Sequence, residues 1–262
     1  MSVLSIEARL ERWVSDGEGR LHKPRFAVVL AVCYALFTVT YVSINVFSVG
    51  RDAHTLFLPG EERLPFLPIF EYLYVLTYFI AALLIVTIRD YVTFRRLARA
   101  TGLLLMAAYT TYLLFPVYFE RPHLEVTSLH TWLLSLEYLD KPYNHFPSLH
   151  VALSWLAVFA SQVSRRSRAG LSVLAAGISV STLFVKQHYI ADVLYGFVLA
   201  WISWRLALSR GAAESAFTMA DRAVLSPAER PRRSYAYSHS AVGPRVHDVA
   251  GARGHSCRDA RG

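Results

Sequence analysis

Charged residues and cysteines are scarce in this sequence of 262 residues. Only 18% of its residues are charged, whereas 54% are apolar and 13% are aromatic. This composition excludes an ordinary soluble domain and indicates a membrane protein. There are only two cysteines, Cys33 in an apolar run and Cys257 in a polar segment. They exclude a fold that depends on a network of disulfide bonds.

Acidic residues are too few to balance the basic ones, and the formal net charge is +8. A basic protein can bind nucleic acid, but here the basic residues lie between apolar runs and in the C-terminal segment. That placement fits anionic lipid headgroups and the orientation of membrane spans, so we expect membrane lipid and not nucleic acid as the partner. The polar residues 1–25 precede an apolar run of full span length, so no cleavable signal is expected.

Six apolar runs determine the expected fold. Each is close to the roughly 20 residues that cross a bilayer as a helix, and helices satisfy their backbone polar groups in lipid. The sequence therefore predicts an all-α polytopic membrane protein, a bundle of six transmembrane helices with short interfacial helices. The predicted spans are residues 26–49, 68–88, 101–118, 148–163, 169–187 and 190–208.

The distribution of Lys and Arg predicts the orientation of this bundle. Twelve of them lie in the N-terminal segment and in the second and fourth connections, whereas five lie in the other three connections. Because Lys and Arg accumulate on the cytoplasmic side, both termini are expected in the cytoplasm and the first, third and fifth connections outside. In a bacterium the membrane would be the plasma (cytoplasmic) membrane.

The chain is expected to have three regions. Residues 1–25 form a cytoplasmic segment whose apolar residues recur at helical spacing, as in a helix that lies in the membrane interface; a solvated helix is the alternative. Residues 26–208 form the membrane domain. Residues 209–262 are rich in Ala, Ser, Gly and Arg and lose apolar periodicity, which predicts a disordered basic cytoplasmic tail.

Polar residues that are costly to keep beside lipid fall on one predicted side of the membrane, the outer one. They are Arg121, His150, Lys186, His188 and Asp192, and Ser148 starts the helix that carries His150. The chain between the two histidines is long enough to descend one helix and return along the next. Both imidazoles should therefore meet at the same membrane face.

The spacing of these residues suggests chemistry on a phosphoryl group. In a helix, His188 and Asp192 are an i, i+4 pair about 6 Å apart along the axis, so the carboxylate can orient the imidazole. A helix that starts at Ser148 leaves unpaired N–H groups that attract a phosphate, and Arg121 and Lys186 add positive charge. A second imidazole is available to protonate the leaving group.

Two other functions fit the same residues. His145 or His150, together with His188 and Asp192, could ligate zinc in a metal-dependent hydrolase. The same His and Asp side chains could relay protons in a non-enzymatic lipid transporter. Their clustering at one interface, away from the membrane midplane, disfavours the transporter.

Around these residues the sequence resembles the type-2 phosphatidic acid phosphatase superfamily. The usual pattern of that family is K-x6-R-P, then P-S-G-H, then S-R-x5-H-x3-D, on a core of six helices. The resemblance covers most of residues 26–208. The matching positions are Arg121, Pro122, Pro147, Ser148, His150, Ser181, His188 and Asp192.

The sequence departs from that pattern at two cations. Leu114 stands where the family has Lys, and Thr182 stands where it has Arg. Lys186 would supply part of the missing charge. The segments FPSLHVALS and KQHYIADVLYG look more like the branch of inositol phosphorylceramide synthases and their bacterial relatives, which transfers phosphoryl-linked headgroups between lipids.

The resemblance implies a lipid phosphoesterase or phosphotransferase that needs no metal and no other cofactor. His188 would attack phosphorus to give a phosphohistidine, Asp192 would orient His188, and His150 would protonate the leaving oxygen. Arg121 and Lys186 would hold the oxygens of a lipid phosphate or phospholipid. Water as the acceptor gives a phosphatase, and an alcohol such as inositol gives a transferase.

Overall fold

Helices make up the structure. The computed structural model describes residues 3–225, and among these no strand forms. The helices are α1 (Val3–Val14), α2 (Lys23–Phe47), α3 (Glu71–Tyr74), α4 (Ile80–Thr87), α5 (Tyr91–Leu114), α6 (Leu129–Glu137), α7 (Leu149–Ala160), α8 (Arg165–Phe184) and α9 (Ile190–Leu225). Short 3₁₀ segments are Glu61–Arg63, Pro68–Phe70 and Val75–Phe79. The predicted all-α class is confirmed.

Four helices within residues 3–225 are long and apolar enough to cross a membrane. They are α2, α5, α8 and the Ile190–Leu208 part of α9. The predicted count of six spans is not confirmed. The fourth predicted span contains only the 12 residues of α7, which rise about 18 Å, short of the roughly 30 Å of a hydrocarbon core.

The second predicted span, residues 68–88, is interrupted. Two 3₁₀ segments alternate with α3 and α4 along it. The tighter 3₁₀ winding changes which side chains share a face. Tyr74 and Tyr78, which come from this interrupted segment, both line the interior cavity described below.

Helix α5 begins and ends earlier than the third predicted span. Asp90 caps its start by accepting a hydrogen bond from the backbone N–H of Thr93 at 2.8 Å. The helix ends at Leu114 because Pro116 disfavours helical backbone at Phe115, whose φ is −139°. The residues that follow belong to a connection and not to the span.

The first, third and fifth connections contact one another. The backbone N–H of His54 donates to the carbonyl of Pro116 at 2.9 Å. At the start of α9, the N–H of Ile190 donates to the carboxylate of Glu61 at 2.6 Å. These are the three connections that the basic-residue count assigns to one side of the membrane.

The N-terminal segment and the second and fourth connections form the other group. The N–H of Leu21 donates to the carbonyl of Arg89 at 2.9 Å, and the N–H of Gln162 donates to the carbonyl of Thr87 at 3.1 Å. The connections that contact one another are therefore those that the predicted topology assigns to the same side of the membrane.

The starts of α7 and α9 approach each other closely. The N–H of Ser148, just before α7, donates to the carbonyl of Asp192 at 3.2 Å. One turn along α9, a Cβ on Gly196 would lie 2.6 Å from the carbonyl oxygen of Ser148. Glycine inside a helix is unfavourable by about 1 kcal/mol relative to Ala, and this contact explains its presence.

Helix α1 occupies the N-terminal segment. Its Val14 is buried, whereas Ile6 and Trp13 are exposed. Exposed apolar side chains of this kind are typical of a helix at a membrane interface. The interfacial position of α1 stays a prediction.

Two compact units divide the chain, residues 1–218 and 219–262. The described part of the second unit, residues 219–225, is helical and belongs to α9. The predicted boundary of the tail at residue 209 thus lies inside a helix. Residues 226–262, the rest of the predicted tail, lie outside the described residues.

Candidate active site

A cavity of about 470 Å³ lies between α2, the interrupted segment, the start of α7 and the loop between α8 and α9. Its volume is in the range of small-molecule sites, about 300–1,000 Å³. Helix α2 supplies apolar and aromatic side chains to one wall. The most apolar stretch of 18 residues in this helix contains no buried residue. The polar part of the wall includes Arg121, His145, His150, Gln187 and His188.

His188 and Asp192 are in contact, although His188 lies two residues before the start of α9 and not within the helix that their spacing predicts. Nδ1 of His188 lies 3.3 Å from Oδ2 of Asp192. The same oxygen accepts the backbone N–H of Tyr189 at 2.9 Å, which fixes the carboxylate. Asp192 is fully buried and His188 is 5% exposed. Because the carboxylate engages Nδ1, Nε2 is the nitrogen of His188 that is left for other partners.

His150 meets His188 from α7. Its Nδ1 lies 3.4 Å from Nε2 of His188, and its Nε2 lies 2.9 Å from the hydroxyl of Tyr74. The start of α7 is fixed by Ser148, whose Oγ accepts the N–H of Val151. The structure therefore brings together both histidines and the carboxylate that the sequence indicates.

Arg121 lies at the same polar wall and is held from several sides. Its Nη1 donates to the carbonyl of Asp140 at 2.6 Å, and its Nη2 donates to Oε1 of Gln187 at 3.2 Å. The guanidinium also lies 4.9 Å from the ring centre of Tyr138. A guanidinium fixed in this way is preorganised to bind the oxygens of an anion such as phosphate.

The environment keeps the imidazole of His188 neutral. Burial lowers the pKa of His188 from 6.5 to about 3, and the positive charge of Arg121 acts in the same direction. A neutral imidazole keeps a lone pair, which is the form that acts as a nucleophile.

The sequence pattern of a known family covers most of this architecture. A family described as the PAP2 superfamily matches residues 52–206. The chain belongs to the PAP2 superfamily. This confirms the resemblance seen in the sequence and indicates a membrane protein of phosphatase type that acts on lipid phosphates. Comparisons with curated proteins and with solved structures find no match.

Two residues that were predicted to bind phosphate do not line the cavity. Ser148 is fully buried, and its Oγ is used to cap α7. Lys186 follows α8 with a φ of 55°, in the left-handed region that residues with a side chain rarely adopt, and it is not among the lining residues. The neighbouring Gln187 lines the cavity instead.

The two positions at which the PAP2 pattern has a cation also do not line the cavity. Leu114 is 77% exposed. Thr182 is fully buried, and its carbonyl accepts the backbone N–H groups of Gln187 at 3.0 Å and His188 at 3.3 Å. In this chain Thr182 shapes the loop that carries His188.

Several cavity residues belong to no motif in the sequence. The hydroxyl of Tyr78 donates to Glu137 at 2.6 Å, and the hydroxyl of Tyr41 donates to Asp140 at 2.7 Å. Burial raises the pKa of both carboxyl groups. With Tyr74, these residues come from three separate parts of the chain, and no spacing in the sequence links the tyrosines to their carboxylate partners.

The zinc hypothesis requires at least three ligands around one point. In residues 3–225, no group of three or more His, Cys, Asp or Glu side chains is arranged to hold a metal ion. Nδ1 of His145 is engaged by the carbonyl of Gln187 at 2.5 Å. The described residues therefore give the zinc alternative no support.

Proposed function

We propose that this PAP2 superfamily member is a metal-independent lipid phosphoesterase or phosphotransferase that works through a phosphohistidine at His188. The observation that carries the proposal is the row of Asp192, His188 and His150, joined by contacts of 3.3 and 3.4 Å at the polar part of the cavity. Such a row provides an oriented nucleophile and a proton donor.

In the first step, Nε2 of His188 attacks phosphorus while Asp192 holds Nδ1–H and stabilises the positive charge that develops. His150 protonates the leaving oxygen, so the lipid alcohol departs neutral. Arg121 binds the oxygens whose negative charge grows in the transition state. In the second step an acceptor oxygen attacks the phosphohistidine and frees the imidazole.

The acceptor decides between hydrolysis and transfer. Water gives a phosphatase, and a polyol such as inositol gives a transferase. Transfer is supported by Glu137 and Asp140 in the cavity wall, since carboxylates can accept hydrogen bonds from the hydroxyl groups of a polyol. On this basis we assign the chain to the branch of relatives that transfer phosphoryl-linked headgroups between lipids.

We also propose that α7 and the interrupted segment complete a core of six helices in the membrane. The two groups of connections support the topology with both termini in the cytoplasm and His188 at the outer face. In a bacterium this is the outer leaflet of the plasma membrane. Single cysteines introduced at the exposed positions His123 and Arg165 test this orientation. Their accessibility is measured in intact cells.

The phosphohistidine is tested by trapping. Purified protein is mixed with radioactive phosphatidic acid, quenched and examined for a protein-bound label that is labile in acid and stable in base. The label should vanish in His188→Ala and persist in His123→Ala, a matched change at an exposed histidine. Label that survives in His188→Ala contradicts the proposal. Activity that resists chelators and is blocked by vanadate distinguishes it from a zinc hydrolase.

Hydrolysis and transfer are separated by their products. The protein is incubated with a panel of lipid phosphates and phospholipids, with and without inositol. Free phosphate indicates a phosphatase, whereas a new inositol-containing lipid indicates a transferase.

A further inference from the structure

His145 is a second buried imidazole beside the nucleophile that the proposed mechanism does not use. It lines the cavity and is 4% exposed. Its ring centre lies 5.4 Å from that of His188, close to the 5.6 Å that separates His150 from His188. The nucleophile is therefore flanked by two imidazoles.

A hydrogen bond fixes which nitrogen of His145 carries the proton. Nδ1 lies 2.5 Å from the backbone carbonyl of Gln187. Because a carbonyl only accepts, Nδ1 must be the protonated nitrogen. Burial, followed by the nearby His188 and Arg121, lowers the pKa of His145 well below its usual value, so the ring is neutral. Nε2 then carries a lone pair.

That lone pair has no partner in the protein. Nε2 of His145 is buried and has no hydrogen-bond partner among the described residues. Buried acceptors are nearly always paired, so this nitrogen points to a ligand that offers a hydrogen. The adjacent Asn144 lines the same cavity, and its buried Oδ1 is also without a partner in residues 3–225. Two residues of the wall beside His188 thus each carry a buried acceptor that has no partner among the described residues.

We infer that His145 is the general base of the second step, taking the proton of the water or alcohol that attacks the phosphohistidine. This inference rests on the proposed function. It assigns the two flanking imidazoles different tasks, His150 as the acid of the first step and His145 as the base of the second. Asn144 would hold the incoming hydroxyl group in place.

In the second step one bond to phosphorus forms and another breaks. The hydroxyl oxygen forms a bond to phosphorus, and the bond from phosphorus to Nε2 of His188 breaks with its electron pair returning to that nitrogen. The hydroxyl proton passes to Nε2 of His145. His145 then releases the proton to solvent, and His150 takes back from solvent the one that it gave in the first step.

A single-turnover experiment with radioactive phosphatidic acid and water as the acceptor separates the two steps. His145→Asn keeps an amide that can donate to the Gln187 carbonyl and removes the acceptor at the position of Nε2. We expect the label to appear on His145→Asn at the parent rate and to decay roughly 10²–10⁴-fold more slowly. His145→Gln should behave in the same way. The control is His130→Asn, at a histidine that does not line the cavity, and it should leave both rates unchanged.

Formation of the label on the variants also shows that their sites are folded. Decay at the parent rate in His145→Asn and His145→Gln would overturn the inference while leaving the phosphohistidine intact. Failure of both variants to form the label would also overturn it, because His145 would then act before the second step. Absence of label on the parent protein would instead overturn the proposed function.

Discussion

Nδ1 of His150 lies 3.4 Å from Nε2 of His188. This is the distance of a weak hydrogen bond, and a phosphorus atom with its leaving oxygen needs more room between the two nitrogens. The proposed reaction therefore requires the rings to separate. His188 is tied to Asp192, whereas His150 contacts the hydroxyl of Tyr74. We expect His150 to be the ring that moves.

The role of His150 as an acid predicts a dependence on the leaving group. His150→Ala should lower the rate on alkyl phosphates by roughly 10²–10⁴-fold. Aryl phosphates with good leaving groups need no protonation, so most of their rate should remain. Steady-state rates on a matched alkyl and aryl pair provide the measurement. An equal loss on both substrates contradicts the acid role.

Tyr74 should act on the chemistry only through His150. Tyr74→Phe removes the hydroxyl 2.9 Å from Nε2 of His150 and keeps the ring. Since one hydrogen bond contributes about 0.5–1.5 kcal/mol, kcat on alkyl phosphates should fall by roughly 2- to 13-fold with little change in KM. The aryl rate should fall less. Tyr72→Phe, at a tyrosine that is 42% exposed, is the control, and an equal fall on both substrates would reduce Tyr74 to a packing role.

The buried His188 makes stability depend on pH. Its folded-state pKa is about 3, below the ordinary value of 6.5. Between these values the unfolded chain binds a proton that the folded chain does not, so stability decreases as the pH falls below 6.5. The loss for this group is about 1.4 kcal/mol per pH unit. Thermal unfolding in detergent at pH 7.5 and pH 5 should show a smaller drop for His188→Asn than for the parent protein, and equal drops would contradict the pKa shift.

Gly196 should be intolerant of a single methyl group. The Cβ of Gly196→Ala would lie 2.6 Å from the Ser148 carbonyl, so α7 and α9 must move apart. Overpacking of this kind costs about 1–3 kcal/mol, and displacement of the rings by about 1 Å can lower the rate roughly 10²-fold. Gly102→Ala, with nothing within 4 Å of its added Cβ, is the matched control. Normal stability and activity of Gly196→Ala would show that the contact is not needed.

The sequence identifies the parts of the site that depend on local geometry. The contact between His188 and Asp192 is expected from their spacing, although His188 lies two residues before the start of α9, and the return of the chain to one face follows from the consecutive helices α7 and α8. The partners of Arg121 and His150 were not predictable in this way. Gln187 and Tyr74 reach them by tertiary packing, and their identities carry no periodic signal.

The position of Lys186 outside the cavity wall has a physical cause. If α8 continued past Phe184, Lys186 would keep the helical spacing of the residues before it. Instead, the φ of 55° at Lys186 turns the backbone out of the helix. That turn places Gln187 in the cavity wall and leaves Lys186 out of it. In the same way, apolar composition alone did not reveal that residues 68–88 alternate between α-helix and 3₁₀ winding.

Helix α2 forms one wall of the cavity, yet its most apolar stretch of 18 residues contains no residue that is buried against the rest of the chain. A lipid could therefore slide sideways past this helix and reach His188 without passing through water. The encounter would then be two-dimensional. Its rate would follow the mole fraction of substrate in the bilayer or micelle, and dilution with inert detergent would slow the reaction even when the total amount of substrate is unchanged.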